Sequence, residues 1–204
     1  MRSMKRQPIV PTTPRDRILD TATRLFLQDG IQAVGISRII AEADVALMTL
    51  YRRFGGKDEL VAAAVEQWSA RWLQWLMYQL DSCGDDPHAR LQGMWNALEE
   101  WLTSEEFHGS LVANAAIELR GQPHHPAHQA IIEHRTAMRW LLEDLAKLAG
   151  ASDATGLAHQ WQVVIEGTVA ASILDGRSAC TPSVRALADA ALAASSGSGH
   201  TCAY

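Results

Sequence analysis

The residues best suited to chemistry in this chain are cations and hydroxyls gathered within one short stretch. Thr49, Tyr51, Arg52, Arg53 and Lys57 fall inside nine positions, flanked by the exposed-type apolar pair Leu47 and Met48. Hydrogen-bond donors and positive charge at that density suit a polyanion, and the phosphate backbone of a nucleic acid is the obvious one. Lys57 is the most pointed of them. It follows the breaker pair Gly55-Gly56 and opens a helix that continues through Asp58, Glu59 and Leu60. A lysine in a first helical turn lies at the unfavourable end of the helix dipole, unless lysine and free N–H groups grip an anion together. The alternative, Lys57 offsetting Asp58 and Glu59 at the surface, is outweighed by the cations just upstream.

A second group is the loop GQPHHPAH over residues 121–128, with His124, His125 and His128. Histidine clusters can bind metal, but no carboxylate or thiolate stands at ligand spacing, so a plain surface loop is preferred and no metal is assigned. The loop, or Glu118 and Glu166, could in principle serve an enzyme. Against that, G-x-S-x-G, H-E-x-x-H, a P-loop and a Rossmann glycine pattern are all missing. No catalytic residue and no cofactor are assigned. Cys83, Cys180 and Cys202 are too scattered for a disulfide framework or a thiolate zinc site.

The elements that hold the cationic stretch are short helices. Ile36, Ile39, Ile40 and Ala43 mark one helix by their spacing. Asp44 falls at the turn, where it tolerates a left-handed backbone, and a second helix from about Ala46 to Arg53 buries Leu50 and Phe54. This is a helix-turn-helix with a cationic outer face. Upstream, Thr13-Pro14-Arg15-Asp16 caps a helix with Ile18, Ala22, Leu25 and Phe26 on one face, ending at Gly30.

Gly30, the TLY-x-x-F core at Thr49, Leu50, Tyr51 and Phe54, the K-x-E-L start at Lys57, Glu59 and Leu60, and I-x-x-A-x-V at Ile40, Ala43 and Val45 resemble the TetR family of repressors. The motif resemblance covers roughly residues 14–62. It implies an all-α homodimer: an N-terminal three-helix helix-turn-helix DNA-binding domain and a larger C-terminal helical domain that binds a small effector and dimerises. It further implies that Thr49, Tyr51, Arg53 and Lys57 face DNA. Two positions depart from the family's pattern. Gly35 replaces a hydroxyl-bearing helix cap, and Asp44 replaces the usual turn glycine.

Net charge agrees once it is divided. Residues 1–60 hold ten Lys/Arg against seven Asp/Glu, and the remainder holds eight against sixteen, so a basic end sits on an acidic body. Without an 18-residue apolar run or a signal-peptide core, the chain reads as cytoplasmic with no membrane partner. The expected divisions are a basic arm at 1–12, disordered and either available to DNA or simply solvated, a DNA-binding domain at 13–56, an effector and dimerisation domain at 57–195, and a flexible tail at 196–204.

Beyond Lys57 a helix to about Leu80 would span roughly 36 Å. Further helices are expected from Pro87, from about Glu105 to Arg120, from Pro126 to Ala149, from Asp153 to about Asp175, and from Thr181. The chain has seven Trp against three Phe and three Tyr. Trp68, Trp72, Trp75, Trp95, Trp101, Phe107 and Trp161 are candidates either for plain core or for an apolar pocket taking a lipophilic or aromatic effector. Asn114 and Glu118 could orient that effector, satisfy the core, or be partly exposed. Ile131, Ile132, Met138, Leu142 and Leu145 should face inward, while Trp140 falls off their stripe and suggests a wide interface or another subunit. Two last helices, apolar around much of their circumference, suggest a two-fold four-helix interface through Trp161, Ile165, Val169, Ile173, Val184, Leu187 and Ala191.

The leading expectation is therefore a ligand-responsive dimeric repressor on a pseudo-palindromic duplex operator. Thr49 and Arg53 would make base or phosphate contacts, Tyr51 and Lys57 phosphate contacts, Leu47 and Met48 thymine-methyl contacts, and Arg38 and Arg52 backbone contacts. The competing class is a helical interaction protein of the same fold without DNA binding.

Overall fold

The computed structural model describes residues 13–105, 107–176 and 181–196. The expectations for the arm at 1–12 and for the tail beyond Ser196 lie outside them. The described residues form helices with no strand: α1 (Pro14–Asp29), α2 (Ile36–Ala43), α3 (Leu47–Phe54), α4 (Lys57–Asp81), α5 (Pro87–Thr103), α6 (Leu111–Glu118), α7 (Ala127–Leu148), α8 (Ala154–Leu174) and α9 (Thr181–Ser196).

Most helix starts follow local capping. Thr13, Asp86 and Asp153 each accept the backbone N–H three residues on, from Asp16, Ala89 and Gly156. Pro14 and Pro87 occupy first-turn positions, where a missing N–H costs nothing. α6 departs from expectation. It begins at Leu111 rather than near Glu105, because Gly109 adopts φ +89 and Ser110 Oγ accepts the N–H of Ala113, which sets the start there.

The residues fall into two compact units, and the cut lies within α4 rather than ahead of it. The first unit takes the chain up to Leu73 together with His108–His134. It thus includes α6 and the start of α7 along with the helix-turn-helix. Its core is Ile18, Ala22, Leu25, Phe26, Ile31, Val34, Ile39, Leu50, Leu60 and Val65, each nearly or fully enclosed. Polar ties join α1 to α4: Thr23 Oγ1 donates to Gln67 Oε1 at 3.2 Å, and Arg71 pairs with Asp20 at 2.8 Å.

The second unit takes Gln74–Phe107 and the chain from Arg135. Leu91, Trp95, Leu98 and Leu102 of α5 are buried, as are Met138, Leu142 and Leu145 of α7. Ile132, expected inward, is instead 59% exposed on the first unit's part of α7. The expected dimer face needs the larger correction. Trp161, Ile165, Val169 and Val184 are buried within the chain, because α8 and α9 pack on each other and enclose them. The large apolar residues of α8 and α9 that remain outside are Val163, Ile173, Leu174 and Leu187, with Ala170 exposed and Ala191 half-buried.

Candidate nucleic-acid interface

The interface is assembled from two eight-residue helices and the turn between them. α2 starts at Gly35, which provides no side-chain cap, and ends where Asp44 takes a left-handed conformation at φ 51, ψ 58. The expected turn is thus formed by an aspartate. Arg17 stands 3.8 Å from its fully exposed carboxylate, a surface pairing of small worth. The chain leaves the turn extended at Ala46, whose carbonyl accepts the N–H of Thr49 at 2.8 Å and opens α3.

α3 is anchored from one side. Leu50 is fully buried and Phe54 nearly so, with the guanidinium of Arg15 lying 5.2 Å from the Phe54 ring centre. The opposite side carries Leu47, Met48, Tyr51, Arg52 and Arg53, all exposed, and Thr49, half-buried. Met48, Thr49, Tyr51 and Arg52 share an open depression on that surface. Gly55 ends the helix at φ +83, a conformation that L side chains rarely adopt, and donates its N–H to the carbonyl of Tyr51 at 2.8 Å.

Lys57 follows as the first residue of α4 and is half-buried. Burial lowers its pKa from the ordinary lysine value, while Asp58 and Glu118 act in the opposite sense. A partly desolvated ammonium at a helix start gains from an incoming anion more than a solvated one would. Arg38 is differently placed. Its guanidinium is held by Asp29 at 2.8 Å and Glu42 at 2.9 Å, so it fastens α2 to the end of α1.

The candidate effector residues divide between the two units. In the first, Trp68 and Trp72 stack at 6.3 Å, and the His134 ring lies 5.9 Å from Trp68 and 5.8 Å from Trp72. His134 Nδ1 is 2.8 Å from Ser69 Oγ. Asn114 is half-buried on α6. Glu118 is committed elsewhere, since its carboxylate accepts the backbone N–H groups of Ile31 and Gln32. In the second unit, Trp95 meets Trp161 edge to face at 6.0 Å, Trp101 meets Phe107 likewise at 5.1 Å, and Trp75 is half-buried. The space bordered by Trp95, Leu98, Leu102 and Val184 measures about 10 Å³, the room of one water rather than of an aromatic molecule.

The histidine loop carries a role of another kind. Among the described residues no three His, Cys, Asp or Glu side chains are grouped to hold an ion. His125 is buried and serves the backbone: its Nδ1 accepts the N–H of Ala127 at 3.1 Å, capping α7. The sequence does not mark that role, since histidine is not among the preferred helix caps; only Pro126 signals the helix start.

The family model described as bacterial regulatory proteins of the tetR family matches residues 18–64, the segment running from α1 into α4. Among curated relatives, the HTH-type transcriptional regulator LmrA of Bacillus subtilis (strain 168) is 28% identical over 165 residues, 78% of this chain and 84% of LmrA. The uncharacterized HTH-type transcriptional regulator YxaF of the same organism is 34% identical over 79 residues, 38% of this chain and 41% of YxaF. Among solved structures, a TetR-family transcriptional regulator from Streptomyces coelicolor superposes with a TM-score of 0.80 at 28% identity, covering 90% of this chain and 96% of that one. A tetR-type regulator from Streptomyces avermitilis gives 0.76 at 27% identity, covering 88% and 98%. Residues 18–64 thus carry a helix-turn-helix of the TetR family, and along most of its length the all-helical chain is similar to TetR-family transcriptional regulators.

Proposed function

We propose that this regulator is a dimeric repressor that lays α3 of each subunit in a major groove of a pseudo-palindromic operator and lets go when a small lipophilic or aromatic effector binds. The observation that carries the reading is the two-sidedness of α3. Leu50 and Phe54 anchor one side, while Leu47, Met48, Tyr51, Arg52 and Arg53 project from the other, with Lys57 at the next helix start. Lys57 and Tyr51 take phosphates, Thr49 and Arg53 bases or phosphates, and Leu47 and Met48 thymine methyls. Arg52 adds a backbone contact, and Arg38 reaches the backbone only by loosening its hold on Asp29 and Glu42.

Release follows from population shift: an effector that favours one setting of α4, a single helix contributing residues to both units, changes the spacing of the two reading helices. The aromatic side chains of the second unit support an apolar ligand, and Trp95 and Trp161 would have to part to admit it. Selection of bound duplexes from a random pool supplies the operator. On that duplex Lys57→Ala should weaken binding to specific and unrelated sequences alike, and should reduce the log–log salt slope by about 0.9. Unchanged affinity and slope would remove Lys57 from the interface.

A further inference from the structure

Two side chains from the stretch 118–125 reach the helix-turn-helix and the start of α4 within the first unit, Glu118 near enough to Lys57 to act on its charge. Glu118, the last residue of α6, sets its carboxylate on the turn that follows α1. Its Oε1 accepts the N–H of Ile31 at 3.0 Å, and its Oε2 accepts the N–H of Gln32 at 2.8 Å. The turn is made by Gly30 at φ +87, and a Cβ on Gly30 would lie 3.3 Å from Glu118 Oε1. Successive N–H groups converging after such a glycine form an anion-binding concavity, and here the chain fills it with its own carboxylate. Charged acceptors on main-chain amides belong to the strong class of hydrogen bonds.

Seven residues further on, His125 reaches the start of α4. Its Nδ1 is occupied as acceptor from Ala127, which places the ring proton on Nε2, 3.5 Å from Asp58 Oδ1. The side chain is only 2% exposed. The charged and titratable groups facing the ring are Asp58 and Glu59 of α4 and His128 of α7. Protonation at Nδ1 would take away the acceptor that caps α7, so this contact is built for the neutral ring.

We propose that Glu118 and His125 are positioning residues for DNA binding, a two-point clasp that holds the α1–α2 turn and the first turn of α4 where α3 and Lys57 can meet one duplex. The proposal rests on the reading of α3 and Lys57 as the DNA surface. Ile31, whose N–H Glu118 holds, and Val34, just ahead of α2, are both enclosed, so the turn sets where α2 lies beneath α3. Asp58 adjoins Lys57, so the His125 contact sets where the lysine is presented. Neither clasp residue touches a phosphate.

The test uses the full chain and the duplex recovered by selection. Glu118→Ala should speed hydrogen exchange at the Ile31 and Gln32 amides about tenfold and weaken the duplex by a similar factor, leaving the salt slope unchanged because no phosphate contact is lost. Glu118→Gln, which keeps the shape and one acceptor oxygen, should recover part of both. Affinity of the parent protein should fall as pH drops well below the ordinary histidine value, and His125→Gln should flatten that profile. Faster exchange with unchanged affinity in Glu118→Ala overturns the clasp, as does a pH profile that His125→Gln leaves intact. If Lys57→Ala leaves affinity unchanged while Glu118→Ala lowers it, Lys57 drops out of the DNA surface and the clasp acts through α3; if Glu118→Ala leaves affinity unchanged while Lys57→Ala lowers it, the DNA-surface reading stands and the clasp falls.

Discussion

Trp161 of α8 donates its indole N–H to the main-chain carbonyl of Ala188 in α9 across 3.2 Å, with the side chain wholly enclosed. The carbonyl is buried along with the ring, so the hydrogen bond has no water to replace it. Trp161→Phe keeps an aromatic body against Trp95 but leaves the Ala188 carbonyl without this donor and part of the indole volume empty. The Ala188 carbonyl keeps its place in the helix ladder of α9, so the expected loss is about 1–2 kcal/mol, the sum of one lost hydrogen bond and a small cavity. Urea unfolding read by far-UV circular dichroism gives the number, and a variant within experimental error of the parent would show that the α8–α9 contact does not depend on this ring.

How much of this was legible beforehand differs by element. Thr13-Pro14, Asp86-Pro87 and Asp153 could be read as helix starts because capping is local chemistry, and each side chain does accept the N–H three residues on. The left-handed turn at Asp44 was legible for the same reason. Glu118 was not: its partners lie 86 and 87 residues away, and a helical period reports a face without naming what covers it. The same limit misdirected the interface. Apolar spacing marked Trp161, Ile165, Val169 and Val184 correctly as residues needing cover, yet could not tell α9 of the same chain from a second copy.

His125 makes stability depend on pH with a definite sign. Burial is the main cause that holds its folded-state pKa below the ordinary value of 6.5; Asp58 opposes this and His128 adds to it. Above 6.5 the ring is neutral in both folded and unfolded chains, and stability is undiminished. As pH falls below that value the unfolded chain takes up a proton that the folded chain resists, so stability drops until the folded-state pKa is passed. Melting temperatures across about pH 5 to 8 should therefore decline on the acid side, and His125→Gln should reduce the decline. Parallel curves for the two proteins would show that other groups govern the acid limb.

The outward face of α8 predicts self-association. Val163, Gly167, Ala170 and Leu174 recur at helical spacing and are exposed, Leu174 at 82%. Among the described residues outside its own turn of helix, nothing comes within 4 Å of a Cβ built on Gly167, so no described contact requires glycine there. Mid-helix glycine costs about 1 kcal/mol against alanine, a cost that close approach of a second α8 would explain. Leu174→Glu should sediment as a monomer with unchanged helicity, and should lose about a hundredfold in affinity for the two-half-site duplex through lost avidity. A dimer that survives Leu174→Glu would move the interface off this face.

Among the described residues Asp44 is the non-glycine residue with positive φ, at 51°. L residues pay about 1 kcal/mol or more for this region, less for Asp, and Gly pays none of it in the folded state. Glycine does lose more freedom on folding, by about 0.4–1 kcal/mol, so Asp44→Gly should change stability little or raise it slightly. Asp44→Ala has neither relief, because a methyl group brings the strain without the tolerance of the aspartate side chain. It should fall below Asp44→Gly by about 1 kcal/mol, with the parent between them. The Arg17 pairing cannot reverse this order, since the Asp44 carboxylate is 99% exposed at 3.8 Å. Thermal or urea midpoints of the three proteins decide it. An alanine variant as stable as the glycine one would mean that the turn relaxes to an ordinary backbone, and α3 would then be free to shift against α2.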